Sequence, residues 1–238
     1  MVRVSVCMAT YNGETYLREQ LESIVSQLTD EDELVVSDDN STDGTIDIIQ
    51  SFADSRIRVV RNAGPRGHVK NFENALVNSR GRFIALSDQD DIWADHRLQN
   101  MVTLLEESPR ASLLVGDFAE FNQHGELPQQ QPLGMSPRNA LRQLFVLMAG
   151  RAKYFGATFL IRRSLLRYVL PIPRMVEAHD IWIAMNACLH GEVIHCADSV
   201  LRRRIHDGNL TPRRRRGFLR ILRSRLQYIA ALGMAATR

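Results

Sequence analysis

Apolar and polar residues alternate regularly through the first hundred residues of the chain. Four short apolar runs have the length and composition of buried strands, at residues 2–9, 33–37, 57–60 and 82–86. The stretches after them carry leucine, isoleucine and valine at helical spacing, at residues 16–27, 45–52, 69–79 and 93–107. Strand–helix units that repeat at this length predict an α/β fold with a parallel sheet and helices on both of its faces.

The second half of the chain is less regular. Strands are predicted at 113–117, 155–161 and 193–197, and helices at 137–149 and 179–190, the second of which ends at Gly191. Residues 122–136 are rich in glutamine, proline and glycine, which predicts a loop. Since no repeat and no long linker is evident, the chain is expected to form one large domain with a basic appendage.

The composition adds constraints on charge and compartment. The chain of 238 residues is 45% hydrophobic, which is enough to bury a substantial core. Its net charge is only +3, but the C-terminal part is strongly basic, with arginines at 202–204, 213–216, 220, 223 and 225. Three cysteines in no metal-like spacing argue against disulfides and favour a reducing cytoplasm. The sequence predicts neither a signal peptide nor a bilayer-spanning segment.

Polar residues follow three of the predicted strands at their carboxyl ends. Thr10 and Tyr11 follow the first strand, Asp38 and Asp39 follow the second, and residues 88–91 follow the fourth. Ligands of parallel α/β sheets bind at this edge of the sheet. The three polar groups are therefore expected to meet on one rim.

The segment after the fourth strand carries three carboxylates within four residues, Asp88, Asp90 and Asp91. Such crowding is unfavourable unless solvent, a basic side chain or a cation relieves it. A hard divalent cation with oxygen ligands relieves it best, and a phosphorylated ligand would complete its coordination shell. The alternative is that the aspartates cap a helix that begins near Trp93. Capping, however, needs one carboxylate and not three.

Five motifs in order along the chain resemble those of family 2 glycosyltransferases, and the resemblance covers nearly the whole chain except the basic tail. They lie at residues 4–13, 37–45, 87–91, 179–180 and 206–209. The segment from Asp88 to Trp93 is most similar to that of enzymes that add rhamnose or related sugars to bacterial surface polysaccharides.

The resemblance implies a GT-A fold, which is Rossmann-like with a mostly parallel central sheet. A glycosyltransferase domain is expected at residues 1–212, with a nucleotide-binding half at 1–107 and an acceptor-binding, catalytic half at 108–212. Residues 213–238 are expected to form a basic amphipathic helical tail. The implied reaction is the inverting transfer of a sugar from a UDP- or dTDP-linked donor to a glycan or lipid-linked acceptor in surface polysaccharide synthesis.

The implied cofactor is Mn²⁺ or Mg²⁺, because a dianionic diphosphate would otherwise be repelled by the carboxylates. By resemblance Asp90 ligates the metal, and Asp91 is either a ligand or a partner of one. His206 is expected either to complete the metal shell or to contact the diphosphate. An imidazole suits Mn²⁺ better than Mg²⁺.

Several residues are expected to bind the nucleotide sugar. The resemblance places Asp88 near the ribose and gives Asp39 the role of accepting a base N3–H, with the pocket lined by Ala9, Thr10, Tyr11 and Gln89. Asp38 and Asp39 also fit a turn with a helix cap, and Tyr11 also fits simple packing. Lys70 follows the third strand, where its charge would reach phosphate or base. A solvated helix face is the alternative for Lys70.

Asp180 is the candidate catalytic base. It lies at the start of a predicted helix, and an inverting transfer needs one carboxylate to take the proton of the acceptor hydroxyl. The resemblance places the base at this residue. The sequence from His179 to Asp180 also fits an N-cap, and the two roles are compatible.

The arginines after residue 212 alternate with apolar residues, as in a helix that lies on an anionic membrane. A cytoplasmic enzyme that contacts the inner face of the plasma membrane is therefore expected. Packing of the helix on a partner is the alternative, and nucleic-acid binding has no supporting pattern.

Two other classes of function remain open at this point. A metal-dependent phosphohydrolase or nucleotidyltransferase also uses clustered aspartates, although the sequence has no phosphate-binding glycine-rich loop. A sugar-nucleotide-binding module without catalytic activity is the third possibility. The products formed from a nucleotide sugar distinguish all three.

Overall fold

The computed structural model describes residues 2–128, 132–134, 139–151, 154–209 and 218–235. The strands are β1 Val4–Thr10, β2 Glu33–Asp38, β3 Ile57–Arg61, β4 Phe83–Ser87, β5 Ile92–Trp93, β6 Ala111–Asn122, β7 Gly125–Glu126, β8 Phe159–Arg162 and β9 Glu192–Arg204. The helices are α1 Leu17–Val25, α2 Thr45–Ser51, α3 His68–Asn78, α4 Arg97–Glu106, α5 Ala140–Met148, α6 Leu166–Val169, α7 His179–His190 and α8 Phe218–Ala235.

These strands form one sheet in the order β3–β2–β1–β4–β8–β6–β9–β5, with β7 paired to β6. The neighbours β3, β2, β1 and β4 are parallel, and β6 and β9 are parallel to each other. Strand β8 is antiparallel to both β4 and β6. The predicted parallel α/β sheet is therefore confirmed for the first half of the chain, and one reversed strand joins it to the second half.

The sheet separates two hydrophobic cores, which explains the apolar runs. Cys7 on β1 packs into the core that includes helices α3 and α7, whereas Val6 and Met8 point to the core that includes α1 and α4. Strands covered on both faces have few polar positions, so they read as continuous apolar runs. All three cysteines are buried and unpaired.

The register of the parallel strands places the predicted rim residues together. Thr10 lies opposite Asp38 across the β1–β2 pair, and Met8 lies opposite Ser87 across the β1–β4 pair. The residues that follow β1, β2 and β4 therefore share one edge of the sheet, as the sequence predicts.

The helix predicted at residues 93–107 begins later, at Arg97. Ile92 and Trp93 form strand β5, which pairs antiparallel with β9, and the Trp93 side chain is buried. His96 precedes the helix in a left-handed conformation, with no side-chain cap. The interpretation of the aspartates as caps of a helix near Trp93 is therefore wrong.

Two strands of the second half, β6 and β9, are longer than predicted, and β8 is shorter. Strand β6 pairs with β9 in parallel from Ala111 opposite Glu192 to Phe121 opposite Arg204, with register shifts around Asp117. The predicted loop at 122–136 includes the short strand β7, and the predicted strand at 155–161 starts as a 3-10 turn at Gly156–Thr158. The outer ends of strands β6 and β9 are partly exposed and carry polar residues, so the sequence there lacks a clear strand pattern.

Helix α8 lies within the region predicted as a basic tail, and one of its faces packs on the domain. Tyr228 and Ala231 are buried in the core shared with α7. The Tyr228 hydroxyl accepts a hydrogen bond from the Ala178 N–H at 3.0 Å and donates to the Ala178 carbonyl at 3.2 Å. Residues 210–217, with the four consecutive arginines, lie outside the described residues. Among the helices of the described ranges, none combines the length and the apolar character that crossing a bilayer requires.

Truncating Tyr228 tests how firmly α8 belongs to the domain. Tyr228→Ala should lower the free energy of unfolding by about 3 kcal/mol or more, since it leaves a cavity in the core. Tyr228→Phe should cost about 1 kcal/mol, the value of its hydrogen bonds. The control is Ile229→Ala at an exposed position, expected to change stability by less than about 0.5 kcal/mol. Urea denaturation measures all three, and equal losses for residues 228 and 229 would contradict the docking.

Candidate functional site

Three carboxylates gather at the carboxyl end of β4. Asp88, Asp90 and Asp91 form an acidic cluster in which one oxygen of each lies within 4.8 Å of the others. The segment is fixed at both ends, because the Gln20 amide donates to the Asp88 carbonyl at 3.2 Å and the Arg204 N–H donates to Asp91 Oδ1 at 2.9 Å. The fold therefore holds three carboxyl groups in place at the predicted rim.

The negative charge of this cluster is poorly compensated. Loss of hydration and the neighbouring Asp90 carboxylate raise the pKa of Asp88 to about 7, against an opposing effect of the Arg203 guanidinium. Burial and the other two aspartates also raise the pKa of Asp91 well above its usual range. Asp91 Oδ2 is buried and has no hydrogen-bond partner among the described residues. Crowded oxygen donors of this kind fit a divalent cation such as Mn²⁺ or Mg²⁺.

His206 is brought to the acidic cluster from the far end of the chain. Its Nε2 lies 2.9 Å from Asp90 Oδ2, and its Nδ1 accepts the Gly208 N–H at 3.1 Å. A neutral His206 thus carries its proton on Nε2 and donates it to Asp90. The predicted contact between His206 and the metal site is geometrically available. Metal ligation through Nε2 stays a prediction, since it requires that proton to leave.

A cleft of about 870 Å³ opens beside Asp90. Its walls come from the loop after β1, the β6–β7 turn and the segment after β9, and they include Tyr11, Tyr16, Gln89, Asn122, His124, Arg204 and His206. No pattern in the sequence predicts a role at this cleft for Tyr16, Arg204 or the residues of the β6–β7 turn.

Arg204 has a defined place in this cleft. Its guanidinium lies 4.7 Å from the Tyr16 ring centre, donates to the Asp90 carbonyl at 3.1 Å and pairs with Glu19. In the sequence, Arg204 lies two residues before the predicted site residue His206, which is the signal that could have placed it in the site. The run of arginines that contains Arg204 indicates only a basic segment.

Gln89 joins two loops of the rim. Its side-chain amide donates to the Tyr11 carbonyl at 3.1 Å, and its oxygen accepts the Tyr11 N–H at 2.9 Å. A Cβ on Gly13 would overlap this amide, so a larger residue there would displace the Gln89 side chain. Tyr11 is 52% exposed and lines the cleft, so its ring is available to a ligand.

The other predicted nucleotide-binding residues after β1 and β2 are mostly buried. Asp39 accepts hydrogen bonds from Asn62 and from the Gly67 N–H, both at 2.8 Å. Thr10 is 1% exposed and donates to Asp38 at 3.1 Å, so its hydroxyl supports the rim from below and does not line the cleft. Ala9 is half-buried on β1. Direct contact with the nucleotide stays a prediction for Asp39 and Ala9.

Lys70 has partners of its own on α3. Its ammonium pairs with Glu73 and donates to the Ile172 carbonyl at 2.6 Å. The solvated face that the sequence offered as the alternative does not describe this position, because Lys70 is half-buried with two partners. An ammonium has three donors, so a contact with a nucleotide stays a prediction for Lys70.

Asp180 lies in the first turn of α7, close enough to the acidic cluster for its charge to raise the pKa of Asp88. One of its oxygens accepts the Ile181 N–H at 2.7 Å. The preceding His179 is buried and stacks on Phe72 with ring centres 4.0 Å apart. Burial lowers the pKa of His179 to about 3, so its ring stays neutral. A packed, uncharged residue thus anchors the start of the helix that carries Asp180.

Cation binding to the acidic cluster should depend on pH. Because Asp88 holds its proton below about pH 7, a cation must displace that proton at lower pH. Mn²⁺ should therefore raise the melting temperature of chelator-treated protein more at about pH 8 than at about pH 6. Without a cation, the raised pKa of Asp88 means that the free energy of unfolding falls as the pH rises towards 7. Thermal melts with and without Mn²⁺ measure both effects, and a shift that is larger at the lower pH would contradict them.

Three features indicate the class of this protein: the parallel sheet, the acidic cluster at its edge and Asp180 at the start of α7. The model of the family "Glycosyl transferase family 2" matches residues 5–170, and the chain belongs to that family. The chain is 33% identical over 119 residues to the Escherichia coli UDP-Glc:alpha-D-GlcNAc-diphosphoundecaprenol beta-1,3-glucosyltransferase WfgD, a match that covers 50% of this chain and 47% of that protein. It spans about half the length of the curated relatives it matches.

Solved structures confirm the predicted GT-A fold. Staphylococcus aureus TarS, residues 1–349 in complex with UDP-GlcNAc, superposes with a TM-score of 0.73 at 24% identity, over 87% of this chain and 60% of that one. The Pyrobaculum calidifontis mannosyltransferase PcManGT, in complex with GDP-Man and Mn²⁺, superposes with a TM-score of 0.63 at 24% identity, over 99% of this chain and 64% of that one.

Proposed function

We propose that this chain transfers a sugar from a nucleotide-diphosphate sugar, UDP- or dTDP-linked, to a lipid-linked glycan acceptor, with inversion at the anomeric carbon. The observation that carries the proposal is the acidic cluster at the end of β4 with Asp180 close enough to perturb it. The acidic cluster would bind a cation that holds the donor diphosphate, and Asp180 would take the proton of the acceptor hydroxyl. Membership of the family supports the same reaction.

The acidic cluster would hold Mn²⁺ or Mg²⁺. Asp90 and Asp91 supply the carboxylate oxygens, and His206 is the candidate third ligand because its ring already contacts Asp90. When bound, the cation neutralises charge on the leaving diphosphate as a Lewis acid. The donor set fits because Asp91 Oδ2 is buried without a protein partner in the described ranges. Mn²⁺ in the mannosyltransferase complex supports this assignment.

Asp180 would act as the general base. Its carboxylate takes the proton of the acceptor hydroxyl while that oxygen forms a bond to the anomeric carbon. The bond from this carbon to the diphosphate oxygen breaks, and the electron pair leaves with the nucleoside diphosphate. Attack opposite the leaving group inverts the anomeric configuration. The neutral, packed His179 keeps the start of α7 in place during this step.

The donor would bind along the rim between β1 and β4. Tyr11 offers an exposed ring for the base, Gln89 fixes the backbone of Tyr11, and Asp39 is the candidate acceptor for a base N3–H. Asp88 is assigned to the ribose, and Ala9 lies beside this path. Thr10 supports the rim from beneath the cleft, and Lys70 is the candidate cation for a phosphate contact.

A lipid-linked acceptor implies work at a membrane surface. WfgD is named for a diphosphoundecaprenol-linked sugar, and this supports a similar class of acceptor here. We therefore propose a cytoplasmic enzyme that meets its acceptor at the inner face of the plasma membrane. Residues 1–212 would form the catalytic domain, with halves that meet near residue 107.

Product analysis tests the proposed function. The protein is incubated with UDP- and dTDP-sugars and a diphosphoundecaprenol-linked GlcNAc acceptor, with Mn²⁺ or with excess chelator. We expect a nucleoside diphosphate and a β-linked product from an α-linked donor, and no turnover in chelator. Release of a nucleoside monophosphate would instead identify a phosphohydrolase or nucleotidyltransferase. Thermal stabilisation by donors without turnover would identify a binding module.

A further inference from the structure

Two neighbouring helices carry half of the large apolar side chains that are exposed in the described ranges. Leu141 and Phe145 on α5 are 74% and 68% exposed, and Leu226 and Ile229 on α8 are 59% and 56% exposed. Each helix also has a buried face that packs on the domain. The exposed apolar residues are therefore additional to the residues that fix the helices to the core.

The two helices are in direct contact. The Arg225 guanidinium on α8 donates to the Met148 carbonyl at the end of α5 at 2.7 Å. Leu147 on α5 and Tyr228 on α8 enter the same core. The exposed apolar side chains Leu141, Phe145, Leu226 and Ile229 thus lie on two helices in contact, and we call this set the α5–α8 surface.

The sequence segments that contain the two helices are basic. Residues 127–176 contain eight basic and no acidic residues, and residues 208–238 also contain eight basic and no acidic residues. Among the described residues, Arg142 and Arg223 are exposed beside the apolar side chains. A second copy of this surface would bring like charges together, whereas an anionic layer would complement them.

We propose that the α5–α8 surface docks on an anionic lipid bilayer, with its apolar side chains in the interfacial layer and its arginines at the headgroups. The proposal widens the expected membrane contact from the terminal arginine run to a folded surface that includes α5. It rests on the surface alone and not on the transfer reaction. Docking would also bring the start of α7, which carries Asp180, close to the membrane, because Tyr228 on the inner face of α8 bonds Ala178.

Vesicle binding of the full chain tests this proposal without any substrate. We expect the protein to cosediment with phosphatidylglycerol vesicles, not with phosphatidylcholine vesicles, and to be released as salt rises. The combined variant Leu141→Ser, Phe145→Ser, Leu226→Ser and Ile229→Ser should bind about tenfold more weakly or worse. The matched control replaces Val59 and Val77, which are exposed elsewhere, by serine and should bind as the native protein does.

A second set of variants changes charge and leaves the apolar side chains in place. Arg142→Gln with Arg223→Gln should weaken binding to phosphatidylglycerol about tenfold, and Arg61→Gln with Arg80→Gln, also exposed, should leave it unchanged. Circular dichroism verifies that each variant is folded. Equal binding to both vesicle types, or native binding by both sets of surface variants, would overturn the proposal. So would a dimer that the apolar variants dissociate in the absence of any vesicle binding.

Discussion

Asp90→Asn should abolish cation-assisted binding of the nucleotide sugar and lower turnover by about 10²–10³-fold, the usual loss when a fixed electrostatic group is removed from a catalytic site. The asparagine keeps the size of the side chain but removes its charge from the centre of the acidic cluster. It also removes the carboxylate that His206 contacts. Titration calorimetry with Mn²⁺ and a UDP-sugar, together with turnover, measures both effects.

The control for this variant is Asp95→Asn. Asp95 is exposed in the same connection between β4 and α4, and it lies outside the acidic cluster. It should leave Mn²⁺ affinity and turnover within about twofold of the native values. If Asp90→Asn retained native Mn²⁺ affinity, the assignment of the cluster as the cation site would be wrong.

Asp180→Asn should separate the two halves of the reaction. Donor and cation binding should stay near native, because Asp180 lies on α7 and not among the cluster carboxylates, while transfer should slow by about a hundredfold or more. The amide cannot accept the acceptor proton. Single-turnover transfer measured beside donor affinity gives the required comparison.

A charge-matched control is available three residues earlier. Glu177→Gln removes one exposed carboxylate near the same helix start and should change transfer little. If Asp180→Asn weakened donor binding as much as it slowed transfer, Asp180 would be a binding residue and not the base. A similar loss in Glu177→Gln would indicate a general effect of charge at this end of α7.

The first half of the fold was predictable from sequence because its strands are covered on both faces. Such strands appear as apolar runs, and parallel pairing then places Thr10, Asp38 and Asp88 at one edge. The shared position of these residues could therefore be predicted from the sheet topology alone. The pattern does not show how deeply each side chain is buried. It places Thr10 at the pocket surface, whereas the structure buries the Thr10 side chain.

The second half depended on contacts between residues far apart in sequence. Strand β5 has two residues and exists because Ile92 pairs with Arg202, over a hundred positions later. The partly polar ends of β6 and β9 gave no clear strand signal, and the place of Arg204 follows from their pairing. Likewise, the helical pattern of α8 showed that one face is apolar, but only the Tyr228–Ala178 contact shows what that face covers.

The paired hydrogen bonds between Gln89 and the Tyr11 backbone make the two rim loops one mechanical unit. A cation that immobilises Asp90 also immobilises Gln89 beside it, and through it the ring of Tyr11. Thermodynamic linkage then requires reciprocity: a nucleotide held by Tyr11 strengthens cation binding by the same factor by which the cation strengthens nucleotide binding. The cation and the nucleotide should accordingly each bind more tightly when the other is already in place.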